Sequence, residues 1–145
     1  MLATLEERFS NALHSTARAW RQAVDRRLKD LGVSQASWLT IAVAARAREP
    51  LSQIELAHRL GVEGATMVAM IDRLVKAGLV VREPSATDRR VKLVVLTKAG
   101  QRMHRKVKTE ADAFRKELLA SVNAKTLLIA TELLEQLHRV AESAA

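Results

Sequence analysis

Residues able to do chemistry are concentrated in one short stretch of this chain. Asp88–Thr97 reads DRRVKLVVLT. A carboxylate stands beside two guanidinium groups, Arg89 and Arg90, and a β-like apolar run follows: Val91, Leu93, Val94, Val95 and Leu96. A guanidinium is a planar fork of donors that matches the oxygens of carboxylate and phosphate. Asp88 is expected to pair with Arg90 or to cap the loop, fixing the direction of that arginine, while Arg89 or Lys92 meets phosphate. A hairpin tip is also narrow enough for a minor groove, whose negative potential draws arginine. The plain alternative is a solvated turn with incidental charges.

Elsewhere the chemical inventory is thin. His14, His58, His104 and His138 are scattered and form no metal motif such as HExxH, so surface or packing roles are expected and no metal or cofactor. The chain has no cysteine, which removes disulfides, zinc–thiolate sites and cysteine redox sensing. There is no nucleophile elbow, phosphate loop or paired-carboxylate site, so no enzyme is expected. Lys and Arg number 24 against 16 Asp and Glu, a formal net charge of +8, which favours a polyanionic partner: nucleic acid or an anionic membrane surface. Aromatic residues make up 3% with no Tyr, too few for a platform that stacks single-stranded bases. No apolar run approaches the roughly 20 residues of a bilayer span, and MLATLEERFSNAL lacks the apolar core of a signal peptide. No membrane partner is expected, and a cytoplasmic location fits the lack of cysteine.

Helices must position the charged tip. Leu5, Phe9, Leu13, Ala17, Trp20, Val24 and Leu28 recur at three- and four-residue spacing and predict a helix over Leu5–Leu31, stopped by Gly32. Ser34 caps a second helix through Trp38, Ile41 and Ala45, which ends before Pro50. In LSQIELAHRLG, Ser52 and Glu55 form a capping box, and Leu51 and Leu56 occupy staple positions, predicting a short helix over Gln53–Leu60 that Gly61 breaks. Val62, Met67, Met70, Ile71 and Leu74 mark the next helix, which ends at Gly78. Ala57 and Gly61 allow the two to cross closely, as in a helix-turn-helix. Leu79–Arg82 and Val91–Leu96 then read as a hairpin with its loop near Pro84–Arg89. Helix, turn, helix, hairpin is the order of a winged helix, and the charged tip is the wing. Thr97 opens a long helix to about Ser121, and Asn123 caps a last one striped with Leu127, Leu128, Ala130, Leu134, Leu137 and Ala141. That stripe either folds back as core or packs against a second chain.

The chain resembles the MarR family of transcriptional regulators, and within it the SlyA-like group, over nearly its whole length. The residues that carry the resemblance are Trp20–Ile41, LSQIELAHRLGVE (Leu51–Glu63), IDRLVKAGLVVR (Ile71–Arg82) and DRRVKLVVLTKAG (Asp88–Gly100). The resemblance implies a mainly α, winged-helix (α+β) fold in a single domain, 1–145. Its lobe would span 34–97, and the segments 1–32 and 98–145 would supply dimerisation helices. It implies a homodimer with interlocked terminal helices, including Leu5, Phe9, Leu118, Leu127, Leu128, Leu134 and Leu137, and two lobes facing double-stranded DNA. It also implies a crevice in which many members bind small aromatic acids. Trp20 and Trp38, beside Arg18 or Arg21 and with His14, could hold such a carboxylate there; core packing of both indoles is the alternative.

For DNA the expected contacts are Ser52, Gln53, Ala65, Thr66, Met67, Arg73, Lys76, Ser85, Thr87, Asp88, Arg89, Arg90 and Lys92. Arg73 is equally placed for an intramolecular ion pair. Lys98, Arg102, Arg105, Lys106 and Lys108 are either a solvated helix face or further contacts. Two departures from the family pattern stand out. Ala69 occupies the position where the family often has Arg, the commonest reader of guanine, and Gly64 weakens the first turn of the recognition helix. The expected function is a dimeric, sequence-specific regulator, a repressor of a near-palindromic site, with a small aromatic carboxylate as effector. The alternatives are a low-specificity architectural DNA binder and a winged helix used as a protein-interaction module.

Overall fold

In the computed structural model, residues 1–144 are described. They form six helices and three short strands: α1 (Leu5–Lys29), α2 (Gln35–Arg46), β1 (Leu51–Ser52), α3 (Gln53–Leu60), α4 (Gly64–Lys76), β2 (Val80–Pro84), β3 (Lys92–Leu96), α5 (Lys98–Leu119) and α6 (Ala124–Ser143). Two compact units result, Met1–Asp112 and a second running from Ala113 to the C-terminus.

The first unit is held by a core of Ile41, Leu51, Leu56, Ala57, Met67, Met70, Ile71, Leu74, Val80 and Val94. These come from α2, α3, α4 and all three strands, so one apolar cluster binds the helices to the sheet. Each fully buried Leu or Ile here contributes about 1.5–3 kcal/mol. The local signals act as the sequence suggests. Ser52 Oγ accepts from the Glu55 amide at 3.1 Å while the Glu55 carboxylate accepts from the Ser52 amide at 3.2 Å, closing the capping box of α3. Gly61 ends that helix at φ 66°, in the left-handed region. The Gly61 and Val62 amides donate back to His58 and Ala57, so the chain turns directly into α4.

The elements depart from expectation by a residue or two at several ends, and three differences bear on the lobe. α1 stops at Lys29, because the Leu31 and Gly32 amides bond three residues back and tighten the chain before Gly32. α4 starts at Gly64 and not at Val62, with Glu63 making no side-chain cap. The third is an unforeseen strand: Leu51–Ser52 pairs antiparallel with Leu93–Val94, giving the sheet order β1-β3-β2. Two residues carry no readable alternation, so only the fold reveals this pairing.

In the hairpin, Val80 faces Leu96 and Pro84 faces Lys92. Thr97 ties the wing root to the rest of the unit. Its hydroxyl donates to the Gly78 carbonyl at 2.7 Å and accepts from the Gly100 amide at 3.0 Å, starting α5. Gly100 is buried against the Leu79 backbone, where a Cβ would fall on the Leu79 carbonyl.

The second unit comprises the end of α5 and α6. Asn123 Oδ1 caps α6 by accepting from the Lys125 amide at 2.8 Å. α6 contains no buried residue. Leu128 is 58% exposed and Leu134 46%, while Leu127 and Leu137 are half-buried. The stripe therefore does not form core within this chain.

Candidate nucleic-acid interface

At the hairpin tip, Asp88 Oδ1 accepts from the Arg90 amide at 3.0 Å and from its Nε at 3.2 Å, and Oδ2 accepts from Nη2 at 3.4 Å. The arginine side chain is nonetheless 91% exposed. One carboxylate thus aims a guanidinium without removing it from solvent. The hydrogen bonds from the Arg90 side chain and amide hold the Asp88 carboxyl below its ordinary range, so it stays ionised and keeps its grip into acid. The loop beneath is fixed by its own hydroxyls. Ser85 Oγ accepts from the Thr87 amide at 3.3 Å and lies 3.1 Å from Thr87 Oγ1. The Ser85 amide donates to Val91 O at 2.9 Å. Arg89 and Lys92 are exposed, and no acid pairs with either among the described residues.

On α4 the residues divide by helical arithmetic. Met67, Met70, Ile71 and Leu74 point into the core. The opposite face is centred on Ala65, Ala69, Asp72 and Lys76, with Thr66 and Arg73 along one flank and Val68 and Val75 along the other, all exposed. This corrects the expectation for Met67. It is 2% exposed and packs inward, one position out of phase with the outward face. Ser52 is likewise buried, its hydroxyl committed to the cap of α3, and is not open to a ligand. Arg73 makes no ion pair among the described residues; its Nη2 lies 3.9 Å from Met70 Sδ.

Arg82, to which the sequence assigned no role, organises this surface. From β2 its Nε donates to Gln53 Oε1 at 2.6 Å, and its Nη2 to Asp72 Oδ1 at 2.5 Å and Val68 O at 3.3 Å. One side chain thereby joins wing, recognition helix and the start of α3. It also neutralises the carboxylate on the outward face of α4, which would otherwise repel phosphate. Gln53, expected as a contact, is partly engaged in this link. The partners lie 10, 14 and 29 positions from Arg82, beyond any periodic signal.

Of the expected aromatic-acid residues, His14, Arg18, Trp20 and Arg21 lie on α1 and Trp38 on α2. Trp38 is buried, and its indole N–H has no hydrogen-bond partner among the described residues. It packs as core and offers no open stacking face. Trp20 is half-buried, and His14, Arg18 and Arg21 are exposed. Five surface clefts of the described residues are lined by other side chains. Among the described residues no helix is long and apolar enough to cross a membrane, and no group of acids or histidines could hold a metal ion.

Comparison with known proteins agrees with this geometry. Residues 31–91 match the family model described as MarR family. The crystal structure of the transcriptional regulator PA3341 is 36% identical with a TM-score of 0.81, the alignment covering 93% of this chain and 98% of that one. Staphylococcus aureus MarR in complex with salicylate and kanamycin superposes with a TM-score of 0.87 at 21% identity, over 97% of this chain and 95% of that one. CouR from Rhodococcus jostii RHA1 bound to p-coumaroyl-CoA gives 0.80 at 24% identity, over 94% and 95%. With a helix-turn-helix, a clamped basic wing and these relatives, the chain belongs to the MarR family of winged-helix, DNA-binding transcriptional regulators.

Proposed function

We propose that the protein works as a homodimer that occupies a near-palindromic duplex site and represses by occluding a promoter. The observation that carries this reading is the wing tip, where Asp88 aims an exposed Arg90 beside a recognition helix. In this reading Arg90 enters a minor groove, and Arg89 and Lys92 meet phosphate. Thr66, Ala65, Arg73 and Lys76 approach the major groove. The exposed leucines of α6, with Leu5, Phe9 and Leu118, support a second copy as their cover, since a lone chain does not expose such a stripe without a partner. The whole of 1–145 acts as one functional domain, its lobe spanning 34–97 between dimerisation segments 1–32 and 98–145. The sequence blocks quoted above favour the SlyA-like group and a cytoplasmic setting. Release by a small aromatic acid completes the proposal, supported by the salicylate in the solved Staphylococcus aureus MarR complex.

Genome-wide mapping of bound sites, followed by footprinting, tests this. Inverted half-sites with centres about one helical turn apart, roughly 34–36 Å, are expected. Ala65 and Ala69 at the centre of the reading face favour a second possibility, low-specificity architectural binding. Bound regions with no shared motif would decide for that one.

A further inference from the structure

Over its first two turns the outward face of α4 carries methyl groups in place of hydrogen-bonding chemistry. Ala65, Thr66, Val68 and Ala69 are exposed there, and each side chain ends in a methyl. The usual readers of base edges in a major groove are Arg or Lys on guanine, Asn or Gln on adenine, and Asp or Glu on cytosine. Along Gly64–Asp72 the one such residue is Asp72, whose Oδ1 is committed to Arg82 Nη2 at 2.5 Å. Gln53, at the start of α3, has Oε1 committed to Arg82 Nε at 2.6 Å, and a bidentate pair with adenine needs that same atom. Arg73 and Lys76 stand in the last turn of α4. Ile54, the neighbour of Gln53, is 79% exposed, more than any other large apolar side chain from Gln35 to Leu96. Arg82 bonds both Gln53 and the Val68 carbonyl, so the start of α3 and this flank of α4 lie side by side.

We infer that this surface reads 5-methylpyrimidines: it selects the C5-methyl group that thymine presents in the major groove, and not the donors and acceptors of the base pair. This rests on the proposed approach of α4 to a major groove. The thymine methyl is the apolar group among the major-groove edges, and Ala and Thr methyls are its natural contacts. Short side chains at the centre of the face let the helix backbone come close to the bases, where a long side chain would hold it off. Val68 and Ile54 stand to one side and help to exclude water from the methyl. Covering one methyl in this way favours binding by about fourfold. 5-Methylcytosine carries the same methyl, so the surface takes it in the place of thymine. Base preference of this kind also separates the protein from low-specificity architectural binding, which predicts none.

The test uses the full-length protein and a duplex that it selects from a random-sequence pool. That duplex is resynthesised with uracil at each recurrent thymine in turn, and with a cytosine–guanine or 5-methylcytosine–guanine pair at the same position. Uracil keeps every hydrogen-bonding group of thymine and lacks the methyl alone. At a covered position uracil should weaken binding about fourfold. Cytosine should bind no better than uracil, and 5-methylcytosine should recover most of the affinity of thymine. Ile54→Ala and Val68→Ala alter exposed side chains, and should shrink the thymine-over-uracil ratio while leaving affinity for the uracil duplex nearly unchanged. A selection without recurrent thymines, equal affinity for thymine and uracil duplexes at every position, or 5-methylcytosine no better than cytosine would overturn the inference and leave duplex binding in place. Failure to retain any duplex from the pool would overturn the proposed function, and the inference with it.

Discussion

Removing Arg82 should loosen the joint between wing and recognition helix, and its cost can be worked from the contacts. The side chain is 27% exposed and makes three hydrogen bonds, to Gln53, Asp72 and Val68. Asp72 is 60% exposed, so its ion pair carries only the surface value, about 0.2–1 kcal/mol. The bonds to Gln53, which is part-buried, and to the exposed Val68 carbonyl contribute about 0.5–1.5 kcal/mol each. Arg82→Ala should therefore destabilise by about 1–4 kcal/mol, lowering the urea midpoint by roughly 0.5–2 M at a slope of about 2 kcal/mol/M. Asp72→Ala should cost less than about 1 kcal/mol, and the double variant should show a coupling of that size. Arg82→Lys keeps the charge but not the fork, and should resemble Arg82→Ala more than the parent. All variants need one protein concentration, because the proposed dimer would link association to apparent stability. An Arg82→Ala midpoint equal to the parent would refute the joint. So would an Asp72→Ala loss as large as that of Arg82→Ala, since the ion pair would then be the whole effect.

Three other sites give sharp outcomes. Asp88→Ala should weaken DNA binding although it removes a negative charge, and Arg90→Ala should weaken it with fold and dimer intact; tighter binding by Asp88→Ala in an anisotropy titration would show that Asp88 does not aim the arginine. Because the Asp88 pKa is lowered, the clamp should persist as pH falls past the ordinary carboxylate range and release only below it, which Arg90 amide shifts would report. Gly100→Ala should destabilise by about 3 kcal/mol, because the new Cβ meets a backbone carbonyl that cannot swing aside; a midpoint near the parent would mean the Leu79–Gly100 approach is looser than it stands. Replacing Leu128 and Leu134 by Ala removes apolar groups of about 1.5–3 kcal/mol each when covered, so sedimentation at micromolar concentration should shift from dimer to monomer. A parent protein that is itself monomeric there would remove the dimer.

What was legible in the sequence was what local physics decides. The capping box at Ser52 and Glu55, the left-handed Gly61 and the Asn123 cap each act through neighbours within a few residues, and each lies where those residue types require. The Asp88–Arg90 clamp spans two positions and was equally readable. Features that depend on distant neighbours were not. The Leu51–Ser52 strand exists only because Leu93 and Val94 arrive beside it. Arg82 finds Asp72 and Gln53 only once the hairpin folds against α3 and α4. Met67 was misplaced because Thr66, next to it, does face outward, and the phase of one turn settles which of two adjacent residues meets solvent. The indoles were ambiguous from sequence, since a single Trp on a helix face serves core and ligand equally; burial places Trp38 in the core.

The central claim is that two basic wings and their recognition helices grip the phosphates of a duplex. It is tested most directly by measuring affinity for a duplex recovered from the bound sites across a salt titration, from about 50 to 200 mM. Each neutralised phosphate contributes a slope of about −0.9 in log K against log salt. If Arg89 and Lys92 of each lobe meet phosphate, a dimer makes at least four such contacts, and the slope should be about −4 or steeper. Arg89→Ala should make it shallower by about 2, one contact per lobe. An affinity that stays flat as salt rises would contradict the claim and leave the winged helix as a surface for another protein.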